Sequence, residues 1–329
     1  MAAMAKTKTA VVVGATNGIG KAISCRLAND GFKIIAVGRD KDGNRGPEVI
    51  DFLSKCSKNH DVRHEFRACD AFELKQVKEC AEGIASDYGG NNNSEGKDGI
   101  DALVMTQGMA TVQSFTPTVE GNDEKLTLHF WSRAAFATCL LPVLRDNVND
   151  DKLAASSARM PGGPVVMSVL SGGVHSPYTK YGSDPELRKH YSIKNAADFA
   201  GFYTDLFFDK LAQMPSNKGI NFIHAAPGFV ASNWGTEMPS FLRGPIRLMQ
   251  KMAGKSPEKC ANLMVQPILQ CSHGELALKR PNDVEEGLFI MNEDGTSGKF
   301  SKGHSVEAMS SVWGTTKDVL SKAGICLEG

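Results

Sequence analysis

The chain has 329 residues, 41% of them hydrophobic, with 37 basic and 37 acidic side chains and a formal net charge of zero. That is apolar mass enough for a large core, and the lack of bulk charge gives no electrostatic footprint for nucleic acid or anionic lipid. Aromatic residues make up only 7%, so stacking platforms for single strands are not evident, and no window has the apolar length of a membrane span.

Short apolar runs alternate with helical periodicity from the start. Residues 9–15 read as a buried strand, and 20–29 as a helix with Ile23 and Leu27 on one face. Residues 33–38 (KIIAVG) form a second strand and 62–70 (VRHEFRACD) a third, followed by a helix over 74–86. A fourth strand at 100–108 (IDALVMTQG) precedes a long helix over about 123–146. A fifth strand at 163–171 (GPVVMSVLS) leads to a helix over 191–213, and 220–227 (INFIHAAP) is a sixth strand. Strand–helix alternation predicts right-handed βαβ units: an α/β Rossmann-type, doubly wound parallel sheet. With no linker between the units, residues 1–329 are expected to form a single domain.

Two polar stretches interrupt the pattern. Residues 89–99 (GGNNNSEGKDG) read as a flexible surface loop, and 147–163 as a polar connection whose Asp150 and Asp151 are solvated. The eight cysteines form no CxxC pair and no cluster with histidine at zinc spacing, so no metal site is expected. They read as reduced, mostly buried thiols. Residues 1–9 hold no apolar segment before a cleavage site, so a cytoplasmic location is expected.

Gly14, Gly18 and Gly20 lie between the first strand and the first helix, with Thr16, Asn17 and Ile19 among them. Such a loop turns sharply, approaches a diphosphate without side-chain obstruction and offers helix N-terminal amides to negative charge. Its spacing is GxxxGxG, and GATNGIG resembles the cofactor loop of the short-chain dehydrogenase/reductase family. Asp70 with Ala71 matches the family's adenine contact. Ser171 ends the fifth strand, Lys194 lies early in the following helix, and residues 226–230, with Pro227, Gly228 and Val230, resemble the PG motif beside the nicotinamide. The segments SPEKCA (256–261) and TSGKFS (296–301) are similar to the retinol-dehydrogenase-like, WW-domain-oxidoreductase-like branch.

The resemblance implies a carbonyl–alcohol oxidoreductase with a dinucleotide cofactor, a small-molecule substrate and a mobile lid over about 231–255. Arg39 follows Gly38 where an NAD enzyme usually carries an acid, and a guanidinium there suits a 2′-phosphate, so NADP(H) is expected rather than NAD(H). In the family a tyrosine gives a proton to the substrate oxygen, a lysine four residues later lowers its pKa, and a serine holds the same oxygen. Here the segment is Lys189-His190-Tyr191-Ser192-Ile193-Lys194. Tyr191 lies three residues before Lys194, and His190 four, so either is a candidate proton donor beside Ser171 and Lys194. The family's NNAG is Met105-Thr106-Gln107-Gly108 here, where Gly108 keeps the close approach. His129 takes the place of an asparagine that organises a proton-relay water. Two functions follow: an NADP(H)-dependent enzyme, or an NADP-binding sensor that has lost the chemistry. A homodimer through the long helices is open, because Phe199, Phe202, Phe207 and Phe208 suit either an interface or the core.

Overall fold

The computed structural model describes residues 7–89, 99–149, 160–231 and 254–328. Seven parallel strands run in the order β3-β2-β1-β4-β5-β6-β7. They are β1 (Thr9–Val13), β2 (Lys33–Gly38), β3 (Glu65–Ala68), β4 (Ala102–Met105), β5 (Val165–Val169), β6 (Asn221–Ala225) and β7 (Phe289–Met291). The order reverses between β1 and β4, which opens the crevice where doubly wound sheets take their ligands.

Helices cover both faces. On one side lie α1 (Gly18–Asn29), α2 (Arg45–Cys56), α7 (Pro257–Met264) and α8 (Gln266–Ser272). On the other lie α3 (Leu74–Tyr88), α5 (Ser132–Asn149), α6 (Ile193–Ala212) and α9 (Val306–Lys322). Because side chains alternate along a strand, β1 feeds both layers: Val11 and Val13 pack toward α3, α5 and α6, while Ala10 and Val12 pack toward α1 and α2. Every residue of β1, β4, β5 and β6 is buried, as expected of strands covered on both sides.

Several expectations need correction. The third and fourth strands are shorter than the apolar runs suggested, and α2, β7 and α9 did not show in the sequence pattern. The long fourth helix is broken into α4 (Glu124–Leu126), a π-helical turn over Thr127–Trp131 and then α5. Asp123 caps α4 by accepting from Leu126 N at 3.0 Å. The cysteines are not all reduced thiols, because Cys25 on α1 is bonded to Cys56 at the end of α2. Spacing could not show this pair: its partners are 31 residues apart and meet only because two helices pack on one face. Phe199, Phe202, Phe207 and Phe208 are at most 1% exposed, so they belong to the core of the protein itself. No described helix is long and apolar enough to cross a membrane. Most of the loop over 89–99 and of the lid over 231–255 lies outside the described residues, as do Asp150 and Asp151.

Candidate dinucleotide and catalytic site

The glycine loop is held against the ends of β1, β2 and β4. Gly14 N and Ala15 N donate to Val37 O at 2.9 and 3.2 Å. Gly14 has φ of +84°, and a Cβ there would fall 2.7 Å from Thr106 Oγ1 and 2.9 Å from Gln107 N. At Gly20 a Cβ would meet Gly14 O and Thr106 Oγ1 at 2.3 Å. Both glycines are therefore required by close approach of loop, helix and β4 end. Asn17 is the N-cap of α1, and its side chain accepts from Gly18 N at 2.8 Å. The first turn of α1 presents the Ile19 and Gly20 amides and the positive dipole end that hold an anion.

The end of β2 carries the base expected to choose the cofactor. The Arg39 guanidinium lies 5.5 Å from the Phe72 ring centroid, a cation–π stack. It makes no ion pair among the described residues. Asp40, its sequence neighbour, is occupied instead, accepting from Arg45 N at 3.0 Å and Gly46 N at 3.3 Å. Cys69 N donates to Gly38 O at 2.9 Å, which sets Asp70 and Ala71 beside Arg39. Asp70 forms an Asx turn, accepting from Phe72 N at 3.2 Å.

At the end of β4, Gly108 packs against His129, whose Nε2 would lie 3.0 Å from a Cβ added there. That nitrogen accepts from Met109 N at 3.0 Å. Burial, followed by the charges of Arg133 and Lys125, pushes His129 down to about 3. It is neutral at pH 7, and its Nε2 pins the 107–109 loop. At the β6 end, Gly228 has φ of +69° and Lys255 N donates to Phe229 O at 2.9 Å, which ties Pro227–Val230 to the start of α7.

The catalytic candidates Ser171, Tyr191, His190 and Lys194 each have their own partners. Ser171 follows β5, its N–H donating to His224 Nε2 at 3.2 Å. Its Oγ is buried and has no hydrogen-bond partner among the described residues. The α6 residue facing it is Gly201, whose Cβ would fall 2.6 Å from Ser171 Oγ. One turn earlier stands Ala197. Lys194 lies seven residues before Gly201, about 10 Å along the helix, and its exposed ammonium pairs with Asp198. Tyr191 precedes α6, and its hydroxyl donates to Asp123 Oδ1 at 3.2 Å. Burial and then the Asp123 charge raise its pKa, which makes it a weaker acid. His190 faces Asp184 Oδ2 at 3.1 Å with almost half its side chain exposed. Tyr191, His190 and Lys194 thus hold Asp123, Asp184 and Asp198, while the α6 residue packed against the Ser171 hydroxyl is Gly201.

Two features escaped the sequence reading. Arg133, 1% exposed, lies four residues past His129 across the π turn. It donates to Met105 O (3.2 Å), Gln107 O (2.5 Å), Leu128 O (3.3 Å), Ser168 Oγ (2.7 Å) and Val169 O (3.0 Å). Asp205 of α6, fully buried, is bracketed by two histidines: His224 Nδ1 lies 2.6 Å from Oδ1 and His175 Nε2 lies 2.8 Å from Oδ2. Since His224 Nε2 accepts from Ser171 N, its proton is on Nδ1. His175 Nδ1 faces Ser176 O at 3.2 Å, so both its nitrogens meet acceptors, an arrangement that favours the protonated ring. Burial lowers the His175 pKa, but the Asp205 carboxylate outweighs it and the net shift is upward, whereas burial leaves His224 lowered. His175, Asp205 and His224 could be grouped as metal ligands, but these hydrogen bonds account for their approach. Their chain separations of 30 and 19 leave no local spacing to read.

A sequence profile of the short chain dehydrogenase family matches residues 8–138. Oxidoreductase AN1596 of Emericella nidulans is 28% identical over 228 residues, 68% of this chain and 59% of that protein. Short-chain dehydrogenase/reductase SAT2 of Stachybotrys chartarum is 27% identical over 255 residues, 74% of this chain and 66% of that protein. The chain spans about three-fifths of the length of the first of these curated relatives. Among solved structures, NADPH-bound carbonyl reductase from chicken fatty liver superposes with a TM-score of 0.57 at 15% identity, covering 90% of this chain and 100% of that one. L-Sorbose reductase from Gluconobacter frateurii, complexed with NADPH and L-sorbose, superposes with a TM-score of 0.52 at 20% identity, covering 82% and 91%. The strand order, the glycine loop and these matches agree: residues 8–138 match the short chain dehydrogenase family, and the whole chain has the doubly wound fold of the solved structures it resembles.

Proposed function

We propose that the protein binds NADP(H) and acts as an oxidoreductase that interconverts a carbonyl and an alcohol on a small, fairly apolar molecule. The observation that carries the cofactor reading is Arg39, an exposed guanidinium at the end of β2, stacked on Phe72 and outside any ion pair among the described residues. A 2′-phosphate offers that guanidinium the charge-assisted partner it lacks. The NADPH bound in the chicken carbonyl reductase and in the sorbose reductase supports the same choice.

The residues fit the group. In this reading, amides of Ile19 and Gly20 hold the diphosphate, while Gly14, Thr16, Asn17 and Gly18 shape the turn beneath it. Asp70 and Ala71 flank the adenine, Gly108 allows close approach to the second ribose, and Pro227, Gly228 and Val230 line the nicotinamide end. Bound NADPH supplies a hydride. Ser171 offers its unpartnered hydroxyl to the substrate oxygen, and its backbone is anchored through His224 to Asp205. Tyr191, His190 and Lys194 take no part.

A second reading, a cofactor-binding sensor, is favoured by one observation: the α6 residue packed against the Ser171 hydroxyl is Gly201, which carries no proton to give. NADPH oxidation against a panel of aldehydes, ketones and quinones, run beside calorimetric binding, separates the two. Turnover that disappears in Ser171→Ala supports the enzyme. Binding without turnover on any substrate supports the sensor, and no binding refutes both.

A further inference from the structure

The side chain that the mechanism leaves unexplained is Arg133. A guanidinium that is 1% exposed loses its hydration, and burying it without a counter-ion is costly. All five of its acceptors are neutral: four backbone carbonyls and the Ser168 hydroxyl. It is absent from every ion pair among the described residues. The one buried carboxylate of the neighbouring cluster, Asp205, has both oxygens taken, one by His175 and one by His224. The Arg133 charge is therefore uncompensated, and burial pushes its pKa down to about 9.

Its position gives this charge a target. Met105 and Gln107 end β4, and Ser168 and Val169 end β5, so Arg133 lies beneath the carboxyl ends of two adjacent strands. Open α/β sheets bind their ligands outside such ends. Two buried oxygens without partners among the described residues, Gln107 Oε1 and Ser171 Oγ, mark the same end of the sheet. The diphosphate belongs elsewhere, at the start of α1, so Arg133 addresses the ring end of the cofactor rather than its phosphates.

We propose that the buried guanidinium of Arg133 makes this site select the reduced dinucleotide, whose nicotinamide ring is neutral, over the oxidised one, whose ring is positively charged. The inference rests on the NADP(H) reading above. The two redox forms share adenine, riboses and phosphates and differ in ring charge and planarity. A buried cation on the same side of the sheet therefore acts on the difference between them. Across an interior of low effective dielectric, like charges at such range separate the two affinities by about tenfold or more.

The test is calorimetric titration of the full chain with NADPH, NADP+ and 2′-phospho-ADP-ribose, the fragment that lacks the ring. The expected result is NADPH binding about tenfold tighter than NADP+, with NADP+ no tighter than the fragment. In Arg133→Met the ratio of the two redox forms falls toward one, and in Arg133→Lys the preference for NADPH persists. Equal affinities in the wild type, or an unchanged ratio in folded Arg133→Met, overturn the inference. If Arg133→Met does not fold, the wild-type comparison with the fragment decides alone. Failure of the fragment itself to bind overturns the cofactor reading instead, so the two failures are distinguishable.

Discussion

Gly201 faces Ser171 across the gap between β5 and α6, so closely that a Cβ at position 201 would lie 2.6 Å from the serine hydroxyl and 2.4 Å from the His175 ring. A helix normally gains from replacing glycine with alanine, by about 1 kcal/mol. Here the neighbours are a strand end and a buried imidazole held by Asp205, and neither can retreat cheaply. Overpacking of this kind costs about 1–3 kcal/mol. Gly201→Ala is therefore expected to lower stability in urea unfolding, against the sign that helix propensity gives. A more stable variant would mean that Ser171 and His175 are looser than described.

The His175–Asp205–His224 cluster gives stability a pH dependence of definite sign. The folded pKa of His175 is raised, so its contribution is fully present below the unfolded value of about 6.5 and is lost as pH rises through the folded value. Those of Asp205 and His224 are lowered, so their contributions are present above their unfolded values and fall away toward acid. The stability difference between the wild type and His175→Asn should shrink from pH 6 toward pH 9. Asp205→Asn leaves the His175 cation buried without its partner and should cost about 3–5 kcal/mol at pH 6. A difference that grows with pH would mean that His175 is neutral in the folded state.

Tyr191→Phe and Lys194→Ala separate the sequence motif from the site. Each is expected to change kcat by less than about threefold, since Tyr191 reaches Asp123 and Lys194 reaches Asp198. Steady-state kinetics on any substrate found in the panel checks this. A loss of a hundredfold or more in either variant would place the usual tyrosine chemistry back at these positions.

The alternation of strands and helices was legible because buried parallel strands are continuous apolar runs, and each of the six that the periodicity located exists. The glycine loop was legible because its spacing is set by local backbone contacts. The catalytic pair was less legible for a physical reason. His190-Tyr191 and Lys194 imitate the family spacing at the start of α6, but the packing of that helix, with Phe199, Phe202 and Tyr203 in the core, decides which turn meets Ser171. That turn carries Gly201. Arg133 was not legible, because nothing local marks the π turn that precedes it. The His–Asp–His cluster and the Cys25–Cys56 bond join elements far apart in the chain, and only the assembled sheet and its helices bring them together.

The most direct test of the account is calorimetric titration of NADPH and NADH into the wild type and Arg39→Ala. One site is expected, with NADPH bound about 10- to 100-fold more tightly than NADH, the worth of a charge-assisted contact of about 1.5–3 kcal/mol. That margin should vanish in Arg39→Ala while NADH affinity stays within about twofold. Absence of NADPH binding, or NADH binding at least as tightly as NADPH in the wild type, would contradict it.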